Sequence, residues 1–315
     1  MDPDYAFDRI TPQSPIPLPE QRWVDVDGIR TCYYEAGPAA GAETIVYIYG
    51  GNFGTSDSGS NAYTWNLNLL PLAGRYRVIA FDKLGQGYTG NPKSDADYTM
   101  KAVVAHAAGF LRAMKLGPVH LVGHSRGGYA AARLTLENHD LVRSVTLVNS
   151  GTLSPGVGTN EVVLAGPPHP KFTAECVRWI YETYSFDKTV VTEAWVKAVL
   201  DALVTPKYRE SVRKVEEGKL GAKLFLPMLA RDKRETLGWI DEGRLQRPVQ
   251  IVWGFDDRTA TIDRGVALYR MIARHDRHAQ LHVMNQSGHF PFREHPGRFN
   301  ALLARFVAIH AGGAR

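Results

Sequence analysis

Cysteine is nearly absent from this chain: Cys32 and Cys176 are the two among 315 residues. Two isolated cysteines make neither a disulfide framework nor a paired-ligand zinc site, and they suit a reducing compartment. Long runs of lysine or arginine are missing too. The net charge of +5 is scattered, so a nucleic-acid partner is not expected. No apolar stretch approaches the roughly 20 residues that span a bilayer, and residues 1–20 lack the basic start and apolar run of a signal peptide. The expectation is a cytoplasmic protein with no membrane partner. The Gly85-x-Gly87 pair lacks the third glycine and the setting of a dinucleotide loop, so it reads as a turn. Neither a metal nor a cofactor is expected.

What is present is an ordinary globular composition, 44% hydrophobic and 22% charged. One stretch organises the rest. Residues 118–128, Pro-Val-His-Leu-Val-Gly-His-Ser-Arg-Gly-Gly, run from a buried-strand pattern through Gly-x-Ser-x-Gly into a helical pattern over residues 129–138. That is the strand-turn-helix setting of a nucleophile elbow. Side chains at 123 and 127 would collide with the neighbouring strand and helix, and the strained turn would lift the Ser125 hydroxyl clear of the sheet.

The other elements follow in order. Residues 1–20 carry five prolines, which predicts an extended surface arm. Residues 23–35 alternate around Asp27-Gly28, a hairpin signal. Apolar runs at 44–49, 77–81, 142–148, 249–253 and 280–284 predict strands, and helices are expected near 65–72, 100–115, 262–274 and 296–310. Residues 153–245 hold helix formers and no strand-like run, with helices at 172–184 and 192–203. Alternating strands and helices predict an α/β fold, a mostly parallel sheet covered on both faces. The helical interruption reads as a cap over the strand C-terminal ends, where such sheets bind ligands. The division is therefore an arm (1–20), a core (21–152 and 246–315) and a cap (153–245).

A serine hydroxyl needs an adjacent base, and in this setting acid and base follow the serine in sequence, each after a strand. The strand at 249–253 leads to Asp256 and Asp257, and spacing alone does not choose between them. The strand at 280–284 leads to His289. The expected oxyanion donors are the N–H groups of Arg126 and of the Gly50-Gly51-Asn52 loop, at Gly51. Asn52, Phe53, Trp179, Trp195, Val199 and Phe290 are the expected pocket lining, with Tyr181 and Phe225 as further aromatics. The predicted partner is a small-molecule substrate, with a homodimer as an allowed assembly.

These residues resemble the α/β-hydrolase superfamily over nearly the whole chain after residue 20. Within it, residues 65–72, 81–89, 178–203 and 253–258 are similar to the meta-cleavage product hydrolases, which cut a carbon–carbon bond in ring-opened aromatic catabolites. The Trp-Gly-x-Asp-Asp-Arg motif of that family implies Asp257 as the triad acid. The resemblance implies a cofactor-independent serine hydrolase acting on a carbon–carbon bond next to a ketone. An ester or lactone hydrolase, and a ligand-binding receptor on the same fold, are the alternatives.

Three positions depart from the pattern. Tyr49-Gly50 replaces the superfamily's His-Gly, and Gly51-Asn52-Phe53-Gly54 replaces the family's glycine-rich loop. Val199 and Leu200 stand where the family carries a cap arginine and an aromatic. Either Arg178, Lys197 or Arg126 supplies the missing cation, or the substrate is less charged. An apolar Val199-Leu200 face favours the neutral substrate.

Overall fold

Asp27 and Gly28 both take positive φ, 50° and 77°, the two-residue turn that suits right-handed strand twist. They join β1 (Gln21–Val26) to β2 (Ile29–Ala36), an antiparallel hairpin paired onto the edge of a larger sheet. The computed structural model describes residues 7–312, and within them the eight strands run in the order β1-β2-β4-β3-β5-β6-β7-β8. From β4 (Arg77–Phe81) outward, β3 (Thr44–Ile48), β5 (Val119–His124), β6 (Val142–Val148), β7 (Val249–Gly254) and β8 (Gln280–Met284) are all parallel.

The apolar runs have a direct cause, because helices cover both faces. Val46, Ile48, Leu121 and Ile251 point into one core, while Ile45, Tyr47, Val122 and Val252 point into the other. The order reverses at β3, with β4 on one side and β5 on the other. The loops after β3 and β5 therefore open a crevice between them, at the C-terminal edge.

Helices α1 (Asn66–Leu72), α2 (Met100–Ala113) and α3 (Arg126–Glu137) pack on the sheet. A short α4 (Asn160–Val163) precedes α5 (Ala174–Tyr184), α6 (Glu193–Leu203) and α7 (Pro206–Val212). Thr173 and Thr192 cap α5 and α6 through their side chains, which is why both helices begin just after the residues where periodicity starts them. Two π-helical turns, Arg213–Glu217 and Gly221–Phe225, lead into α8 (Leu226–Asp241), and no sequence pattern announced them. The chain then returns through α9 (Ile262–Ala273), α10 (Pro291–Glu294) and α11 (Pro296–Ile309).

Helix α8 falls inside the predicted cap limits of 153–245, and it packs on the helices of the core. Leu229 and Ile240 join the core beneath α2 and α3, and Arg133 of α3 bonds Glu235 at 2.7 Å and Thr236 at 3.0 Å. The arm is more than a surface strand. Phe7 is buried with the α11 residues, Asn66 Nδ2 donates to the Ile16 carbonyl at 2.6 Å, and Gln13 Nε2 donates to Thr189 Oγ1 at 3.1 Å. Residues 1–6 of the predicted arm lie outside the described residues. No helix among the described residues is long and apolar enough to cross a membrane.

Burial of His106, whose Nε2 lies 2.9 Å from Thr31 Oγ1, pushes its pKa from 6.5 down to about 4, against the opposing pull of Asp27. A base neutral in the fold and titrating normally when unfolded adds stability above pH 6.5 and loses it as pH falls toward 4. Between pH 7 and pH 4.5 that loss amounts to about 2 to 3 kcal/mol. Denaturant unfolding at the two pH values should show a smaller acid loss for His106→Gln than for the parent. Equal losses would remove His106 as the cause.

Candidate active site

Ser125 follows β5 directly, with φ 53° and ψ −123°, a backbone state that costs a non-glycine residue about 1–3 kcal/mol. Its neighbours leave it no alternative. A Cβ on Gly123 would lie 2.5 Å from the Gly127 carbonyl oxygen and 2.6 Å from the Gly128 Cα, and one on Gly127 would strike the Ile48 carbonyl. The strand end, the turn and α3 are thus packed backbone to backbone. Ser125 N–H donates to Val148 O at 2.8 Å, and Ser125 O accepts from Ser150 Oγ at 2.7 Å, so the strained residue is held from both sides.

The loops after β7 and β8 bring an acid and a base together. His289 Nδ1 lies 2.6 Å from Asp257 Oδ2, with both side chains buried. Asn149 Nδ2 donates to the same oxygen at 2.7 Å, and Asp257 Oδ1 accepts from Thr259 N, Thr259 Oγ1 and Ala260 N at 2.8, 2.8 and 3.0 Å. Burial alone would raise this carboxyl. The charge and hydrogen bond of His289, with the bonds from Asn149 and Ala260, outweigh it and leave Asp257 below the usual carboxylate range. Asp256 faces elsewhere: its N–H donates to Ser287 O at 2.8 Å and its Oδ2 accepts from Ser287 N at 3.3 Å, tying the acid loop to the base loop.

His289 is pinned through its backbone and its ring. Its N–H donates to Tyr184 O at 2.9 Å, and its carbonyl accepts from His124 Nε2 at 2.9 Å. A carbonyl only accepts, so His124 carries its proton on Nε2. Burial, with His289 nearby, keeps that imidazole neutral. The Tyr184 ring stacks on His289 at 4.7 Å and 22°.

Ser125 and His289 line one cleft with Gly50, Gly51, Ser60, His124, Arg126, Thr152, Tyr181, Tyr184 and Phe290, enclosing about 70 Å³. The expected residues Ser125, His289, Gly51, Arg126 and Phe290 therefore share a cavity, and Asp257 stands behind His289. Arg126 contributes the first N–H of α3, and Gly51 sits at φ 74° in the loop after β3. Among the described residues no cluster of three or more His, Cys, Asp or Glu side chains is arranged to hold a metal ion.

Tyr181, a further expected aromatic, lines the cleft too, and the other expected lining residues are elsewhere. Phe53 is buried in the core, edge-on to Tyr98 at 5.0 Å and to Phe225 at 5.5 Å. Phe225 is core as well. Asn52 does not line the cleft; its Oδ1 accepts from Phe53 N at 2.9 Å. Trp195 stands one row back, stacked on Tyr181 at 4.4 Å with the Arg293 guanidinium 3.9 Å from its ring. Trp179 is half-buried and off the cleft. Val199 is buried in the cap's packing, so its apolar face gives no argument about substrate charge. Of the three candidate cations, Arg178 is bound to Glu193 at 2.6 Å and Lys197 to Asp201 at 2.7 Å, while Arg126 lines the cleft. Tyr184, Ser60 and Thr152 also line the cleft and stand in no recognisable motif, whereas His124 stands inside Gly-x-Ser-x-Gly. His124, directly before the serine, was the one with a positional signal.

Known proteins share this arrangement of elements. The 2-hydroxymuconate semialdehyde hydrolase of Pseudomonas sp. (strain CF600) is 29% identical over 290 residues, 89% of this chain and 91% of that one. A 2-hydroxy-6-oxononadienedioate/2-hydroxy-6-oxononatrienedioate hydrolase of Paraburkholderia xenovorans (strain LB400) is 28% identical over 293 residues, again 89% and 91%. The crystal structure of a meta-cleavage product hydrolase, CumD, has the same fold, with a TM-score of 0.72 at 24% identity over 93% of this chain and 98% of that one. The family described by the alpha/beta hydrolase fold matches residues 44–296. With that match spanning the sheet from β3 onward, the elbow, and the acid and base loops, the chain belongs to the alpha/beta hydrolase fold family.

Proposed function

We propose that this hydrolase uses Ser125 as nucleophile, His289 as general base and acid, and Asp257 to orient and stabilise the imidazolium, cleaving a carbon–carbon bond next to a ketone in a small ring-opened substrate. The observation that carries the reading is the 2.6 Å Asp257–His289 pair in a cleft shared with a serine on a strained turn. His289 takes the Ser125 proton as Oγ adds to the ketone carbon. The oxyanion falls to the N–H groups of Gly51 and Arg126. The carbon–carbon bond then breaks, its electron pair spreads into the conjugated fragment, and that fragment takes the proton from His289. Water, activated by the same histidine, releases the acyl group from Ser125.

The two relatives are named for a 2-hydroxymuconate semialdehyde and for 2-hydroxy-6-oxo dienedioate or trienedioate substrates, conjugated oxo acids that suit this bond type. Their substrates are anionic, and a charge drawn from water into a narrow cleft needs a cation. The Arg126 side chain is our candidate for that contact. We also place the protein in the cytoplasm, a reading supported by two buried free thiols, Cys32 and Cys176. An ester or lactone hydrolase is the second reading, favoured by the cleft's polar serine and threonine lining.

Ser125→Ala should lower kcat by about 10⁴-fold or more, because a triad acts as a unit. Circular dichroism beside the assay guards against misfolding, and activity within tenfold of the parent would refute the nucleophile. Asp257→Asn should cost about 10⁴-fold through the wrong imidazole tautomer. Asp256→Asn, which touches only the loop, should cost far less, and equal losses would reverse the choice of acid.

A ring-cleavage dienoate should give a higher kcat/KM than a neutral aryl ester. Arg126→Met, which keeps the backbone N–H, should raise KM for the dienoate at least about tenfold and leave the ester's nearly unchanged. Preference for the ester in the parent would move the assignment to ester or lactone hydrolysis.

A further inference from the structure

Lys83 is buried beneath the loop that follows β3, on the turn after β4, and the reaction outlined above gives it no part. Its Nζ donates to two successive carbonyls, Gly50 O at 2.8 Å and Gly51 O at 3.0 Å. Its own backbone N–H donates to Tyr49 Oη at 3.0 Å, and its Nζ lies 4.9 Å from the Tyr49 ring. Tyr49 is the residue found where the superfamily carries histidine, so the departure seen in the sequence is one half of a Tyr49–Lys83 pair.

A trans peptide is planar, with its C=O and N–H pointing in opposite directions. The Gly50 carbonyl shares a plane with the Gly51 N–H, and the Gly51 carbonyl shares one with the Asn52 N–H. One amine holding both carbonyls turns both N–H groups to the other side. Two successive peptides face the same way only with an unusual backbone, and Gly51 supplies it at φ 74°. The product is a pair of adjacent N–H donors, an anion-binding concavity. Neither N–H donates to a protein acceptor among the described residues. The loop abuts the nucleophile: a Cβ on Gly50 would lie 2.7 Å from the Ser125 Cβ.

We propose that Lys83 is the positioning residue of the oxyanion site, aiming the Gly51 N–H, beside that of Arg126, at the oxygen that becomes charged when Ser125 attacks. This rests on the serine-hydrolase reading. Burial, with Arg126 nearby, holds the Lys83 amine well below the usual lysine range, while Asp82 pulls the other way. Either protonation state keeps at least two N–H donors, enough for both carbonyls. The role of Lys83 is thus geometric.

The test is Lys83→Met, which fills the same space without a donor, beside Lys83→Gln, whose amide retains one. For parent and variants, kcat and KM are measured on an aryl acetate, with Ki for an aryl trifluoromethyl ketone, whose serine adduct carries the oxyanion. Lys83→Met should lower kcat by about 10- to 100-fold, below the full loss of a donor because the N–H groups remain but are no longer aimed. KM should stay within about threefold and Ki should rise by the same factor as kcat/KM falls, since substrate carbonyl and oxyanion make unequal demands on the site. Lys83→Gln should fall between parent and Met. Lys83→Met leaves the Gly50 and Gly51 carbonyls without this donor, so its melting temperature should drop modestly, and the assays are run well below it. Should Lys83→Met fail to fold, Lys83→Gln carries the same comparison. Unchanged kcat and Ki in the folded variant would overturn the proposal. So would a fall in activity that tracks KM or melting temperature without a change in Ki. A parent that neither turns over the ester nor binds the ketone, or a fully active Ser125→Ala, would remove the hydrolytic reading, and the role of Lys83 with it.

Discussion

The structure depends on one close approach of backbone to backbone, where α3 meets the end of β3. Gly127 lies so near the Ile48 and Tyr49 carbonyls that no Cβ fits, and Gly123 lies as near to Gly127 and Gly128. That contact fixes the left-handed turn at Ser125, the start of α3 and the distance from the serine to the Gly50-Gly51 loop. The strain at Ser125 persists because its N–H and C=O are held by Val148 and Ser150, residues of the next strand and its loop. Sheet order supplies the rest. The chain reverses direction of travel at β3, so the two loops that must meet sit at adjacent strand ends.

Charge is managed by the same economy of contacts. Asp257 is buried yet ionised because five donors converge on it, and the imidazole it faces is held by backbone bonds on either side. Glu294 binds the histidine loop to the cap: its carboxylate accepts from Gly288 N at 2.8 Å, Phe186 N at 3.1 Å and Asp187 N at 3.3 Å. Burial nevertheless raises Glu294 to about 7. The cap residue Tyr184 stacks on His289 and offers its carbonyl to the His289 N–H. Helix α5 thus touches His289 through both its ring and its backbone.

Much of the fold was legible because its signals are local. Two-sided burial writes continuous apolar runs, and Asp-Gly writes a hairpin. The elbow was legible for a steric reason, since glycines at 123 and 127 are the residues that the approach to Ile48 permits. Chain order after the strands pointed to the Asp256-Asp257 and His289 loops, and side-chain contacts pair His289 with Asp257 rather than with Asp256. Apart from Phe290 and Tyr181, the lining residues were not legible. Phe53 and Val199 turn into cores, Trp195 stands behind Tyr181, and Tyr184 is brought to His289 by the whole cap. Nor was the packing of α8, whose helical pattern is the same whether it rests on a lid or on α3.

The central claim is that an activated Ser125 attacks beside an oxyanion site formed by the loop after β3. A crystal structure of the enzyme reacted with an aryl phosphonofluoridate tests both halves at once. The account predicts phosphorus bonded to Ser125 Oγ, with the phosphoryl oxygen within about 3.1 Å of the Gly51 backbone nitrogen. Phosphorus on another residue, or a phosphoryl oxygen turned away from Gly51, would contradict it.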